Sequence, residues 1–128
     1  MRGARILTSA VLIAAAAYGV ALAAEAMPTA VKMSGGNLTD AKGMTLYTFD
    51  NDKTADKSAC NGMCAMNWPA LKADANAKDM GEFKVITRDD GSKQWAYKGK
   101  PLYYWKDDAA PGEAKGDGRG MVWHVAKM

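Results

Sequence analysis

The residues best equipped for chemistry stand between positions 60 and 66. Cys60 and Cys64 bracket Asn61, Gly62 and Met63, and Met66 follows two positions later. Two thiolates, two thioethers and the imidazole of His124 (the chain's one histidine) are ligand types that suit copper(I). A soft-metal site drawn from Cys60, Met63, Cys64, Met66 and His124 is therefore one reading. A second is a disulfide. Side chains four apart on a regular helix have Cβ atoms ~5–6 Å apart, whereas a disulfide wants ~3.5–4.5 Å. The bond needs a bend, and Asn61-Gly62 is a turn dipeptide in the right place. Closing five residues would stabilise the fold by about 2 kcal/mol in the chain-entropy description. A third reading is thiol–disulfide exchange, although the usual redox spacing is one residue shorter and sits in a βαβ unit. In an oxidising compartment the staple is the expectation. No cofactor is then needed, and copper is the alternative.

Other chemistries find less support. One histidine and two cysteines do not complete the usual four-ligand zinc framework without carboxylates. Asp50, Asp52 and Asp56 resemble the start of a calcium loop. However, Thr54 holds the third ligand place, Ala55 replaces the required glycine and the closing glutamate is missing. Thirteen glycines form no phosphate-cradling or dinucleotide-binding pattern. With 17 Lys+Arg against 14 Asp+Glu there is no basic stripe, and nucleic acid is not an expected partner. No spacing pairs carboxylates for acid–base work, so no catalytic residue is assigned.

These residues must be positioned by a short chain. Residues 1–23 read as a bacterial secretory signal peptide: Arg2 and Arg5 form a basic start, Ile6 to Val20 an apolar run, and Ala21-Leu22-Ala23 an A-x-A cleavage site. Cleavage leaves no membrane anchor and lowers the formal charge of +3 towards neutrality. The expected location is the periplasm or the exterior. Residues 24–36 form a lead-in with a short strand near Ala30–Met33, ended by Gly35-Gly36. The β-rich domain spans residues 37–128. Its first strands, Asn37–Asp40 and Met44–Phe49, are expected to form a hairpin, with Tyr47 and Phe49 on one face. Asp50–Lys57 is a polar loop. Phe83–Arg88, Gln94–Tyr97 and Leu102–Trp105 read as a three-stranded meander whose first turn is the hairpin signal Asp90-Gly91. Residues 106–120 are a loop, and Met121–Ala126 a closing strand. Helix finds support only near Cys64–Trp68 and Leu71–Lys78.

The chain repeats itself. Gly43-Met-Thr-Leu46-Tyr47-Thr-Phe49-Asp-Asn-Asp52 aligns with Gly99-Lys-Pro-Leu102-Tyr103-Tyr-Trp105-Lys-Asp-Asp108, an offset of 56 residues. A tryptophan follows each copy, at Trp68 and Trp123. Two units, about residues 37–70 and 83–126, would each bury too little surface to be comfortable alone. Tyr47, Phe49, Tyr103 and Trp105 therefore read as shared core, with Asp52 and Asp108 capping turns or accepting tyrosine hydroxyls. The alternative for the same residues is an exposed aromatic and acidic surface that binds glycan.

At these positions the sequence resembles the bacterial secreted-repeat lipoproteins, which carry Tyr-x-aromatic-x-x-Asp in tandem. Tyr47, Phe49 and Asp52 match the motif once, and Tyr103, Trp105 and Asp108 match it again. The resemblance extends through Cys60-x-Gly62-x-Cys64-Ala65 to Trp68-Pro69. It implies architecture and an exported location but no settled activity. Many members carry a lipobox cysteine, and this chain has none near its cleavage site, so lipid anchoring does not carry over. The expectation is a mainly β, single-domain exported protein of two diverged hairpin or meander repeats with at most one or two short helices. Its expected role is non-enzymatic, with an envelope protein or glycan as partner. A copper-binding protein and a thiol–disulfide redox protein are the alternatives.

Overall fold

The computed structural model describes residues 26–128; the signal-peptide reading of residues 1–23 lies outside them. Among the described residues seven short strands form three small antiparallel sheets. Strands β1 (Val31–Ser34) and β2 (Asn37–Asp40) form a hairpin turned by Gly35 and Gly36. Both glycines have positive φ, 59° and 87°, which costs glycine little and other residues more. Strand β3 (Tyr47–Phe49) pairs with β7 (Trp123–Val125), joining the two ends of the domain. Strands β4 (Phe83–Thr87), β5 (Lys93–Tyr97) and β6 (Lys100–Pro101) form the meander. Helix α1 (Met63–Asn67) is a little over one turn long. Among the described residues no helix is long and apolar enough to cross a membrane. The protein is mainly β and built from two repeats.

Three local expectations are corrected. The partner of β2 is β1; the 44–49 segment meets β2 only through the Thr39–Thr45 bridge and neighbouring backbone bonds. Leu71–Lys78 is not helical. Leu71 exchanges backbone hydrogen bonds with Leu102 and Trp95, and Lys72 bridges Gln94. An extended path buries Leu71 and leaves Lys72 facing out, a choice that helical propensity does not decide. Leu102–Trp105 is not the third meander strand. Leu102 makes the last backbone bond to β5, donating to Trp95 C=O at 3.0 Å, and Tyr103 beyond it bridges Tyr47 and Ala70.

That Tyr103–Tyr47 bridge is the centre of the molecule. Tyr47 N–H donates to Tyr103 C=O at 2.8 Å, and Tyr103 N–H returns the bond to Tyr47 C=O at 3.0 Å. The two copies of the repeat therefore meet antiparallel at the same residue, as a local two-fold axis requires. Period-two alternation then sends neighbouring side chains to opposite sides. Leu46 and Leu102 enter one core with Val31, Leu38, Leu71, Phe83 and Trp95. Tyr47 and Tyr103 enter a second with Cys60, Trp68, Trp105 and Trp123. Both cores draw on both repeats, so neither repeat closes a core by itself.

Candidate functional site

The second core is stacked aromatic rings. Phe49 lies on Trp123 (centroids 4.1 Å apart, planes 9° apart), Trp123 on Trp68 (3.8 Å, 4°), and Trp68 against Trp105 (4.4 Å, 38°). The Arg119 guanidinium covers the outer side of Trp105 at 4.4 Å. Tyr47 meets Trp68 edge-on and Tyr103 meets Trp123 edge-on. Each such pair contributes ~0.5–1.5 kcal/mol beyond the area it buries. Phe49 and Trp105 are repeat equivalents, and each stacks on the tryptophan of the other repeat. Of the six motif residues only Phe49 and Asp52 are half-open; Tyr47, Tyr103, Trp105 and Asp108 are buried. Trp105 Nε1–H is buried without a described partner.

The tyrosine hydroxyls reach across the same axis. Tyr47 donates to Asp108 Oδ2 at 2.5 Å, and Tyr103 donates to Asp52 Oδ2 at 2.7 Å. Each tyrosine is thus bonded to the aspartate of the other repeat's motif. The second carboxylate oxygen closes the local loop: Asp52 Oδ1 accepts Ala59 N–H at 2.7 Å, and Asp108 Oδ1 accepts Lys115 N–H at 2.8 Å. In both repeats the bonded N–H lies seven residues after the aspartate. The aspartates therefore cap loops and accept tyrosine hydroxyls at once. Burial, reinforced by the adjoining carboxylate, pushes both phenols well above their ordinary range. Burial also raises Asp52, against the lowering effects of Ala59 N–H, the Tyr103 hydroxyl and the Arg88 charge.

Around these crossed bonds the repeats diverge. In the second, Gly116 N–H donates directly to Tyr47 Oη at 3.1 Å. Its equivalent 56 residues earlier is Cys60, and there a hydroxyl intervenes. Cys60 N–H donates to Ser58 Oγ at 3.2 Å, and Ser58 lies 2.7 Å from Tyr103 Oη. Because the Tyr103 proton is committed to Asp52, Ser58 is the donor in that last bond. Arg88, 6% exposed, donates to Ser58 Oγ, to Gln94 Oε1 at 2.7 Å, to Cys60 C=O and to Asn61 Oδ1. Gln94 continues to Leu102 C=O. Sequence reading missed Ser58, Arg88 and Gln94. Arg88 ends a predicted strand and looks like an ordinary surface cation; only its partners, 6 to 30 residues away, reveal its burial. Tyr104, also missed, donates to Asp40 at 2.7 Å.

Cys60 and Cys64 are joined, with Cα atoms 5.1 Å apart, and the turn at Gly62 (φ 60°) provides the bend before α1. Thiolate coordination through these sulfurs would require reduction first. Met63 and Met66 stand out from α1, 72% and 70% exposed. His124 lies on β7, where its Nε2 pairs with exposed Asp50 at 2.8 Å. Among the described residues no group of three or more His, Cys, Asp and Glu side chains is placed to hold a metal. The structure thus brings together the motif residues and the disulfide, and sets His124 on a different element from Met63 and Met66.

A family model described as a secreted repeat of unknown function matches the chain twice, over residues 29–72 and 84–127. The two matches meet at the axis described above. No curated protein and no solved structure matches.

Proposed function

The chain belongs to this family of secreted repeats, Lipoprotein_15, and from that premise we propose an exported, periplasmic protein that acts without catalysis, as an envelope interaction or binding module. The observation that carries this reading is how the motif spends its chemistry. The two tyrosines and two aspartates satisfy one another across the repeat axis, and the aromatic rings stack on one another. Among the described motif residues both tyrosine hydroxyls are committed to a carboxylate, so neither is poised to attack a carbonyl. With Tyr47, Tyr103 and Trp105 buried and only Phe49 half-open, a glycan or envelope protein would bind mainly elsewhere than on the motif rings. The A-x-A signal and the disulfide support an oxidising compartment outside the cytoplasm.

The experiment is production of the full chain in a bacterium, with osmotic-shock fractionation, N-terminal sequencing, denatured thiol titration and metal analysis. The expected product starts at Ala24, is released with the periplasm, has no free thiol and carries no stoichiometric metal. Retention of the uncleaved chain in the cytoplasm overturns the location. Free thiols with one equivalent of copper overturn the staple and establish the copper reading through Cys60, Cys64, Met63, Met66 or His124. Loss of a binding or growth phenotype in Cys60→Ser/Cys64→Ser protein that remains folded establishes the redox reading.

A further inference from the structure

Asn61-Gly62 is the chain's single Asn-Gly step, and its surroundings favour a reaction at the asparagine side chain. Asn61 and Gly62 are both exposed. Apart from its chain neighbours, a β-carbon at Gly62 would meet no atom within 4 Å, so no other part of the fold crowds this step against an arriving water. Gly62 N–H bonds no described residue and is open to deprotonation by solvent. The Asn61 side-chain oxygen Oδ1 accepts from Arg88 Nη2 at 3.4 Å. A guanidinium in that place stabilises negative charge developing on the oxygen during attack at Cγ, as an oxyanion hole does. The remaining asparagines, Asn37, Asn51, Asn67 and Asn76, precede Leu38, Asp52, Trp68 and Ala77, whose side chains crowd the attacking nitrogen.

We propose that Asn61 is a modification site at which the folded chain converts an amide to a carboxylate. The Gly62 nitrogen, having lost its proton to solvent, attacks Asn61 Cγ and forms the C–N bond of a cyclic imide. Nδ2 leaves as ammonia, taking protons from solvent and giving up its 3.2 Å bond to Asp89. Water then opens the ring: cleavage at the side-chain carbonyl leaves aspartate, and cleavage at the backbone carbonyl leaves isoaspartate. No electrons are exchanged. The consequence lies in the buried network. Arg88 bonds four uncharged acceptors, and the product places a carboxylate beside it, next to the Ser58–Tyr103–Asp52 chain. The same carboxylate faces Asp89 and Lys57, which already pair at 3.2 Å. The hollow lined by Asp52, Lys57, Ser58, Asn61 and Asp89 thus gains one negative charge with time.

The test is ageing of the oxidised full-length mature protein at mildly alkaline pH, followed by peptide mapping and enzymatic isoaspartate detection. Conversion is expected at Asn61 well ahead of the other four asparagines, in both product forms, at a rate rising with hydroxide concentration. An Asn61→Gln variant should show no acidic shift on the same timescale. Arg88→Lys, verified as folded by thermal unfolding, should slow the conversion; an unchanged rate removes Arg88 from the mechanism. Should that variant fail to fold, the decisive comparison is wild-type protein with and without urea. An Asn61 amide that survives in the folded chain while converting in the unfolded chain overturns the proposal, as does equal conversion at the other asparagines.

Discussion

The two repeats place the same tyrosine–aspartate bond in unequal surroundings. Tyr47–Asp108 is closed by the backbone: Gly116 N–H reaches the phenol directly, and Asp108 is buried at 8% exposure. Tyr103–Asp52 is closed by side chains: Ser58, Arg88 and Gln94 intervene, and Asp52 is half-open. Gly116 explains part of this difference. A β-carbon there would come within 2.8 Å of Trp68 and 3.0 Å of Trp105, so only glycine lets the backbone approach Tyr47. At the equivalent place Cys60 carries a side chain, and a serine hydroxyl spans the added distance. A repeated motif therefore fixes the bond across the axis, while the residues around it decide how that bond is supported.

The largest expected effect separates the two surroundings. Arg88→Ala strips partners from Cys60 C=O, Gln94 Oε1 and Ser58 Oγ, and should cost about 3 kcal/mol in urea unfolding, since buried polar groups left unpaired cost ~1–3 kcal/mol each. An effect under about 0.5 kcal/mol, the range of ordinary surface substitutions, would mean the network adds nothing to support of Tyr103. Next comes Gly116→Ala, expected to cost about 2 kcal/mol because overpacking a dense core typically costs ~1–3 kcal/mol. A neutral result would show that the rings shift to admit a methyl group. The phenols can then be compared directly. Tyr47→Phe abandons a buried carboxylate and the Gly116 N–H, whereas Tyr103→Phe leaves Asp52 able to turn towards water. Losses of about 2 and about 1 kcal/mol follow from the cost of unsatisfied buried groups; the reverse order would break the comparison.

The smallest effect is a pH dependence of the half-open pair. Burial raises the Asp52 carboxyl above its unfolded value, so the native state binds this proton more tightly than the unfolded chain does. The contribution is fully present below the unfolded pKa and is lost as pH rises through the raised folded value. Relative to an Asp52→Asn variant, wild-type stability should fall slightly over that window just above the ordinary aspartate range. Urea midpoints measured for both proteins across mildly acidic pH would show it. A rise in place of a fall would mean that the bonds from Tyr103 and Ala59 outweigh desolvation.

The sequence by itself determined the repeat, the identity of the motif residues and the mainly β character, because these are local: an offset of 56, alternation of two, and turn dipeptides at Asp90-Gly91 and Asn61-Gly62. Turn chemistry next to Cys64 likewise made the short staple legible. Only the tertiary structure decided that each tyrosine bonds the other repeat's aspartate, that Phe49 and Trp105 exchange tryptophans, and that Arg88 is buried. These depend on where a two-fold axis falls. A repeat seen in sequence is compatible with units that stand side by side or interlock, and the Tyr47–Tyr103 backbone bridge chooses interlocking. The helix expected over Leu71–Lys78 fails for the same reason: Leu71–Ala73 run extended because they bond Leu102, Trp95 and Lys93, partners too far along the chain for any local pattern to announce.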